Sequence, residues 1–160
     1  MKTEIGIISD THLHQVTDKF RDIYDKYLSD KDLIFHAGDM VSIDIAEFLK
    51  NNNFHGVHGN MDPFELKMLL PGKKIIKIGK FRIGLIHGWG SAEGLEERIR
   101  GKFKEVDVIV YGHSHKAAKF YKDGILFFNP GTATGFSSSR ANTIGLMEIS
   151  DTVHCNIIEV

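Results

Sequence analysis

Cysteine is almost absent. Cys155 stands alone, which excludes a disulfide within the chain. It lies in a late stretch of alternating apolar residues and reads as a half-buried strand residue. An excess of charge of one sign is missing too. Twenty Lys and Arg face twenty-one Asp and Glu, for a formal net charge of −1, so the basic footprint of a general nucleic-acid binder is not there. No apolar run is long enough to cross a bilayer. The run after Met1–Glu4 breaks at Ser9-Asp10, too soon for a signal-peptide core, and a soluble, cytoplasmic protein is expected. Repeats, low-complexity tracts and linkers are lacking, so residues 1–160 are expected to form a single domain.

Histidine, by contrast, is plentiful: there are nine. Its positions say more than its number. Short apolar runs recur along the chain, and five of them stop abruptly in polar clusters. Glu4 to Ser9 is isoleucine-rich, as in a strand buried on both faces, and ends in Asp10-Thr11-His12. Asp18 to Leu28 carries Phe20, Ile23, Tyr24, Tyr27 and Leu28 at helical spacing, with Thr17 or Asp18 as N-cap. Asp32 to Phe35 is a second strand, followed at once by His36-Ala37-Gly38-Asp39. Ser42 to Lys50 is a second helix, stopped by Asn51-Asn52-Asn53. Phe54 to His58 is a third strand, closing at Gly59-Asn60-Met61-Asp62-Pro63. Alternating strands and helices with short connections argue for parallel strands and right-handed crossovers, whose ligand sites lie at the carboxyl ends of the strands.

The later half reads differently. Lys73–Ile78 and Phe81–Ile86 form a hairpin about Gly79-Lys80, and the second run ends at His87-Gly88. Glu93 to Phe103 is a helix, and Val106 to Tyr111 a strand that stops at Gly112-His113-Ser114-His115. Two hairpins follow, Lys116–Tyr121 with Ile125–Phe128 and Asn142–Ile149 with Val153–Ile158. The expected fold is α/β, with two mixed β-sheets packed face to face and helices outside.

Each polar cluster alone is weak. Together they offer two carboxylates (Asp10, Asp39), one amide (Asn60) and four imidazoles (His12, His87, His113, His115). Mixed oxygen and imidazole donors suit manganese, iron, zinc, nickel or cobalt better than calcium or magnesium alone. Seven ligands exceed one ion with an open position, and fit two ions ~3.5–4 Å apart that clamp an in-line displacement.

Asp10-Thr11-His12, Gly38-Asp39, Gly59-Asn60-x-Asp62, His87 and Gly112-His113-Ser114-His115 resemble the calcineurin-like metallophosphoesterases nearly end to end. Small size and the Asn129-Pro130-Gly131 turn look most like their compact YfcE-type phosphodiesterase subgroup. The resemblance implies a four-layer α/β/β/α sandwich and a dinuclear site. Asp10, His12, Asp39 and His115 would hold one ion. Asp39, Asn60, His87 and His113 would hold the other, with Asp39 bridging. The implied cofactors are two divalent ions, manganese first, with nickel, iron, zinc or cobalt as alternatives. The implied activity is phosphodiester hydrolysis of a small-molecule substrate by a hydroxide between the ions.

Two positions depart from the family pattern. Many members carry histidine directly after the Gly-Asn pair, where this chain has Met61, which cannot donate a proton. That weakens the second reading, a phosphomonoesterase acting on nucleotides or phosphoproteins. Leu13-His14 stands where glycine often follows Asp-x-His. His14 is either an exposed loop residue or a partial substitute for the missing acid, and it is the catalytic candidate. A third reading is a non-catalytic, Vps29-like interaction scaffold, against which every metal position here keeps a competent ligand. A homo-oligomer paired through a hairpin edge is compatible with the sequence.

Overall fold

A computed structural model describes residues 1–50 and 53–160. The helix stop read at Asn51-Asn52-Asn53 therefore lies largely outside the described residues. Among the described residues, ten strands form two five-stranded sheets. The first has the order β10-β9-β1-β2-β3, from β1 (Thr3–Ile8), β2 (Leu33–His36), β3 (Phe54–Gly56), β9 (Thr143–Ile149) and β10 (Val153–Glu159). Its β1, β2 and β3 are parallel, with β9 and β10 antiparallel at one side. The second has the order β4-β5-β6-β8-β7, from β4 (Lys73–Ile78), β5 (Phe81–Ile86), β6 (Val108–Val110), β7 (Ala118–Lys122) and β8 (Ile125–Asn129).

Here the structure refines the hairpin reading. The hairpins β4–β5 and β7–β8 are present, but they only edge a parallel core of β5, β6 and β8. Helix α4 (Leu95–Arg100) is the crossover that makes β5 and β6 parallel, and the β7–β8 hairpin turns β8 the same way. Six parallel strands thus deliver their carboxyl ends to one region.

Strand alternation sorts the apolar residues into layers. Ile5, Ile7 and Phe35 of the first sheet meet Ile83, Leu85, Val108, Val110 and Phe128 of the second in a core between the sheets. Ile8 and Ile34 face the other way, onto Phe20 and Ile23 of α1 (Asp18–Ile23), Ile45 and Leu49 of α2 (Ile43–Leu49) and Leu66 of α3 (Phe64–Leu69). Ile109 and Phe127 face outward onto Leu95 and Ile99 of α4. Each fully buried side chain of this kind contributes roughly 1.5–3 kcal/mol. The result is the four-layer α/β/β/α sandwich.

Thr17 caps α1 by accepting from the Phe20 N–H at 3.2 Å, and Ser42 caps α2 by accepting from the Asp44 N–H at 3.1 Å. Three local features differ from expectation. The first helix continues past Ile23 as a π-helical turn over Tyr24–Leu28, closed by the Ser29 N–H on the Tyr24 carbonyl at 2.9 Å. The short helix α3 follows Pro63 in a stretch that carries no element in the sequence reading. β3 also ends earlier than expected, because the His58 N–H turns away to the Pro71 carbonyl at 3.0 Å.

Candidate metal centre

All seven expected ligands converge. Asp10 and His12 follow β1, Asp39 follows β2, Asn60 follows β3, His87 follows β5, and His113 and His115 follow β6. The first sheet brings both carboxylates, the amide and His12; the second brings three imidazoles. Two overlapping groups result: Asp10, His12 and His115 at one end, and Asp10, Asp39 and His87 at the other. Asp10 Oδ1 lies 3.3 Å from His115 Nε2 and 3.8 Å from both His12 Nε2 and His87 Nε2. Asp39 Oδ2 lies 3.1 Å from His87 Nε2 and 3.6 Å from His12 Nε2. Both carboxylates face both ends. Asn60 Oδ1 closes the second end, 3.1 Å from His87 Nε2 and 3.1 Å from His113 Nδ1.

The tautomers decide what this arrangement can hold. His87 Nδ1–H donates to the Ala37 carbonyl at 2.7 Å, and His115 Nδ1–H to the Phe136 carbonyl at 2.6 Å. His113 Nε2–H donates to the Gly90 carbonyl at 2.6 Å. Each carbonyl claims one ring nitrogen as a donor and leaves the other as a lone pair aimed inward, the orientation a metal-binding imidazole takes. Asp10 Oδ1 is buried and makes no hydrogen bond. Lone pairs of carboxylate and imidazole thus point at one another, which is stable only around a cation or a proton. His12 Nε2 and His115 Nε2 are 3.2 Å apart, close to the ~3.3 Å spanned by two nitrogens each about 2.0–2.1 Å from a tetrahedral ion. The donor set fits divalent transition metals.

The ionisation equilibria of the site carry the same tension. The Asp10 carboxylate beside it pushes His115 up to about 9 against the cost of burial. Burial alone would raise Asp10, but the neighbouring rings of His115, His12 and His87 and the Ser9 hydroxyl hold its carboxyl well below the usual range. Asp39 is likewise lowered, burial being outweighed by His87 and the Met61 N–H. Where no cation sits, a proton takes its place.

The backbone is bent to serve the site. Five ligands have left-handed backbone: Asp10 (φ 53°), His12 (48°), Asp39 (58°), His113 (73°) and His115 (58°). Non-glycine residues there cost about 1–2 kcal/mol each, and such strain gathers at functional sites. Supports hold it. Asp62 accepts from the N–H groups of Asp39, Val41 and Gly59 at 3.0, 2.7 and 2.8 Å, tying the loops after β2 and β3 together. Asp62, two residues after Asn60 in the Gly59-Asn60-x-Asp62 motif, thus orients both the Asn60 loop and the Asp39 loop. Ser9 Oγ–H donates to Asp10 Oδ2 at 2.6 Å, and the His113 N–H to the same oxygen at 3.1 Å. Asn129 donates to the Gly112 carbonyl and to Ser114 Oγ, each at 3.1 Å, and so props the loop between His113 and His115. Gly112 has no alternative: a Cβ there would lie 2.1 Å from Ser9 Oγ. Sequence reasoning missed Ser9 and the prop from Asn129; their only signal was adjacency to a ligand and a Pro-Gly turn.

Not every candidate joins the centre. His14 is exposed and makes no hydrogen bond or ion pair among the described residues. His36 is fully buried beneath the site, with Nε2 3.1 Å from Thr11 Oγ1 and Nδ1 accepting the Gly38 N–H. Met61 is exposed, and its backbone N–H donates to Asp39 Oδ1 at 2.8 Å.

Residues 3–152 match the calcineurin-like phosphoesterase superfamily domain. A probable metallophosphoesterase of Methanocaldococcus jannaschii is 38% identical over 137 residues, covering 81% of this chain and 68% of that protein. Among solved structures, an archaeal protein described as a novel phosphodiesterase superposes with a TM-score of 0.77 at 25% identity, over 98% of this chain and 99% of that one. Vps29 of Entamoeba histolytica, solved as a complex with zinc, gives 0.72 at 26% identity, over 98% of both chains. No described helix is long and apolar enough to cross a membrane. On its ligand geometry and on these matches, this chain belongs to the calcineurin-like phosphoesterase superfamily.

Proposed function

We propose that residues 1–160 act as one domain, a metal-dependent phosphodiesterase with a two-ion centre. The observation that carries the reading is the set of inward lone pairs: three imidazoles locked by backbone carbonyls around two buried carboxylates. Asp10, His12, Asp39 and His115 would hold one ion, and Asp39, Asn60, His87 and His113 the other. Such ions supply Lewis acidity toward a phosphoryl oxygen and lower the pKa of a bound water. The chain supplies the rest. Asp10 and Asp39 set the charge at the centre, the carbonyls of Ala37, Gly90 and Phe136 fix ring orientation, and Asp62 holds two ligand loops in register. Manganese is the proposed metal, with nickel, iron, zinc and cobalt compatible with the donors.

Diester rather than monoester specificity rests on Met61. At that position no proton can be delivered to an alkoxide, so good leaving groups are favoured. The test compares bis(p-nitrophenyl) phosphate with p-nitrophenyl phosphate in manganese-loaded protein. A preference for the diester of about tenfold or more is expected, and a preference for the monoester overturns the reading. His14 is the proposed partial acid. If so, the rate lost in His14→Ala grows with leaving-group pKa across a series of aryl diesters, and a flat loss removes it from the mechanism.

The likeness to Vps29 favours one other reading, a scaffold that binds partners without turnover. Metal analysis of protein purified without chelator separates the two. Less than one ion per chain, with no activity gained on adding manganese or nickel, would favour the scaffold.

A further inference from the structure

Beside the Asn60–His87 end of the centre opens a cavity of about 620 Å³. Its wall includes Asn60 and His87 themselves, then His58, Trp89 and three lysines, Lys67, Lys73 and Lys102. The lysines come from three separate places: α3, the start of β4, and the turn after α4. No carboxylate lines the cavity, and none of the three ammonium groups forms an ion pair among the described residues. In a chain of net charge −1 this is a local concentration of positive charge, not a general one. Lys102 Nζ sits 5.2 Å over the Trp89 ring, and Lys73 Nζ donates to the Lys102 carbonyl at 2.7 Å. Lys67 makes no such contact. The backbone that carries Trp89 is held in advance. Arg98 donates to the carbonyls of Trp89 (2.8 and 3.1 Å), Glu93 (2.9 Å) and Ser91. Preorganised walls and unneutralised cations lower the cost of binding an anion.

We infer that this cavity binds a second phosphate of the substrate, so that the preferred substrate is a phosphodiester carrying a further phosphoryl group beyond the scissile one. The inference rests on the phosphodiesterase reading and names its substrate class. Lys67 and Lys102 provide the charge, Lys73 and His58 further donors. Binding energy from a group remote from the reacting phosphorus is available to position the diester against the centre.

Two substrates isolate the effect: the p-nitrophenyl ester of thymidine 5′-phosphate, with either a free 3′-hydroxyl or a 3′-phosphate. Both release p-nitrophenolate, so the chemistry is held constant. The 3′-phosphate is expected to raise kcat/KM about tenfold or more, the equivalent of one charge-assisted hydrogen bond. In the double variant Lys67→Gln, Lys102→Gln that ratio should fall to about one. Equal kcat/KM values in the unaltered protein, or a ratio that survives the double variant, overturn the inference. A binding arm covers the case of no turnover. Calorimetry on manganese-loaded protein compares thymidine 3′,5′-bisphosphate with thymidine 5′-phosphate. If neither ester nor bis(p-nitrophenyl) phosphate is hydrolysed, the phosphodiesterase reading fails. A tenfold affinity difference that disappears in the double variant then still upholds the cavity as a phosphate site, and equal affinities overturn it.

Discussion

The two ends of the metal centre are built to different standards. At one end His87 and Asp39 are 2% and 3% exposed in their side chains, and the ring is held by the carbonyl of Ala37 inside the first sheet's loop. At the other, His12 and His115 are 26% and 25% exposed, and His115 is held by Phe136 in an outer loop. Between them stand two carboxylates that face both. The difference teaches that the ends are not equivalent binding sites joined by symmetry. His87 and Asp39 are shielded from solvent, whereas Asn60 and His113, which complete that end, are exposed and half-buried. The two ends thus differ in their inner ligands, and an ion held by His87 and Asp39 would exchange less readily than one held by His12 and His115. Among the described residues, Asp10 and Asp39 are the carboxylates that would hold the pair together.

The largest effects should come from removing what the ends share. Asp10→Ala deletes an oxygen that lies within 3.8 Å of His12, His87 and His115. Loss of both ions is expected, with activity down by about 10³ or more, near the scale of removing a major electrostatic element from an active site. His115→Ala and His113→Ala should each lose one ion, from opposite ends, and reduce activity less. Metal content by mass spectrometry, with zinc and manganese competed against each other, reads both results. If His113→Ala and His115→Ala prove identical in stoichiometry and in residual metal preference, the distinction between the ends is wrong.

How the ends came to be recognisable in the sequence, and their supports not, has a physical cause. A parallel strand buried on both faces reads as an unbroken apolar run, and its carboxyl end is where polarity returns. Ile8-Ser9-Asp10 and Val110-Tyr111-Gly112-His113 therefore announced the ligands directly. The helix α3 announced nothing. Of its six residues only Leu66 is buried, while Phe64, Met68 and Leu69 face solvent, so no apolar stripe exists to be read. The parallel placement of β8 depends on a hairpin folding back, which local alternation does not encode. Asn129 acts on backbone groups brought near by tertiary folding, and such a contact has no spacing rule. The basic cavity was invisible for the same reason: Lys67, Lys73 and Lys102 are ordinary surface lysines until α3, β4 and α4 are placed around it.

A second comparison concerns acid. His36 lies under the buried end, fully enclosed, and burial pushes its pKa down to about 4 from the ordinary 6.5, although Asp62 and Asp10 pull the other way. The folded protein therefore binds this proton less well than the unfolded chain. The contribution to stability is complete above pH 6.5 and is lost as pH falls through about 4. At 1.36 kcal/mol per unit, the loss is about 3 kcal/mol. Denaturant unfolding of chelator-treated protein from pH 7 to 4 should show it, and His36→Asn should flatten the slope. Asn keeps an acceptor for the Gly38 N–H and does not titrate. An unchanged slope in His36→Asn would remove His36 as the acid-sensitive support of the buried end.

The smallest effect probes the backbone of the open end. His115 is left-handed at φ 58°, a conformation that glycine adopts freely and alanine does not. His115→Gly and His115→Ala delete the same imidazole and should lose the same ion. They differ in one respect: glycine relieves the strained backbone, at the cost of a more flexible unfolded chain. In the metal-free state His115→Gly should be the more stable of the two by about 1 kcal/mol. Paired thermal unfolding of the two variants checks this. A glycine variant no more stable than the alanine one would mean that the loop relaxes once the imidazole is gone. The left-handed turn would then be a consequence of His115 meeting Asp10 rather than a constraint set by Gly112 and Asn129 around it.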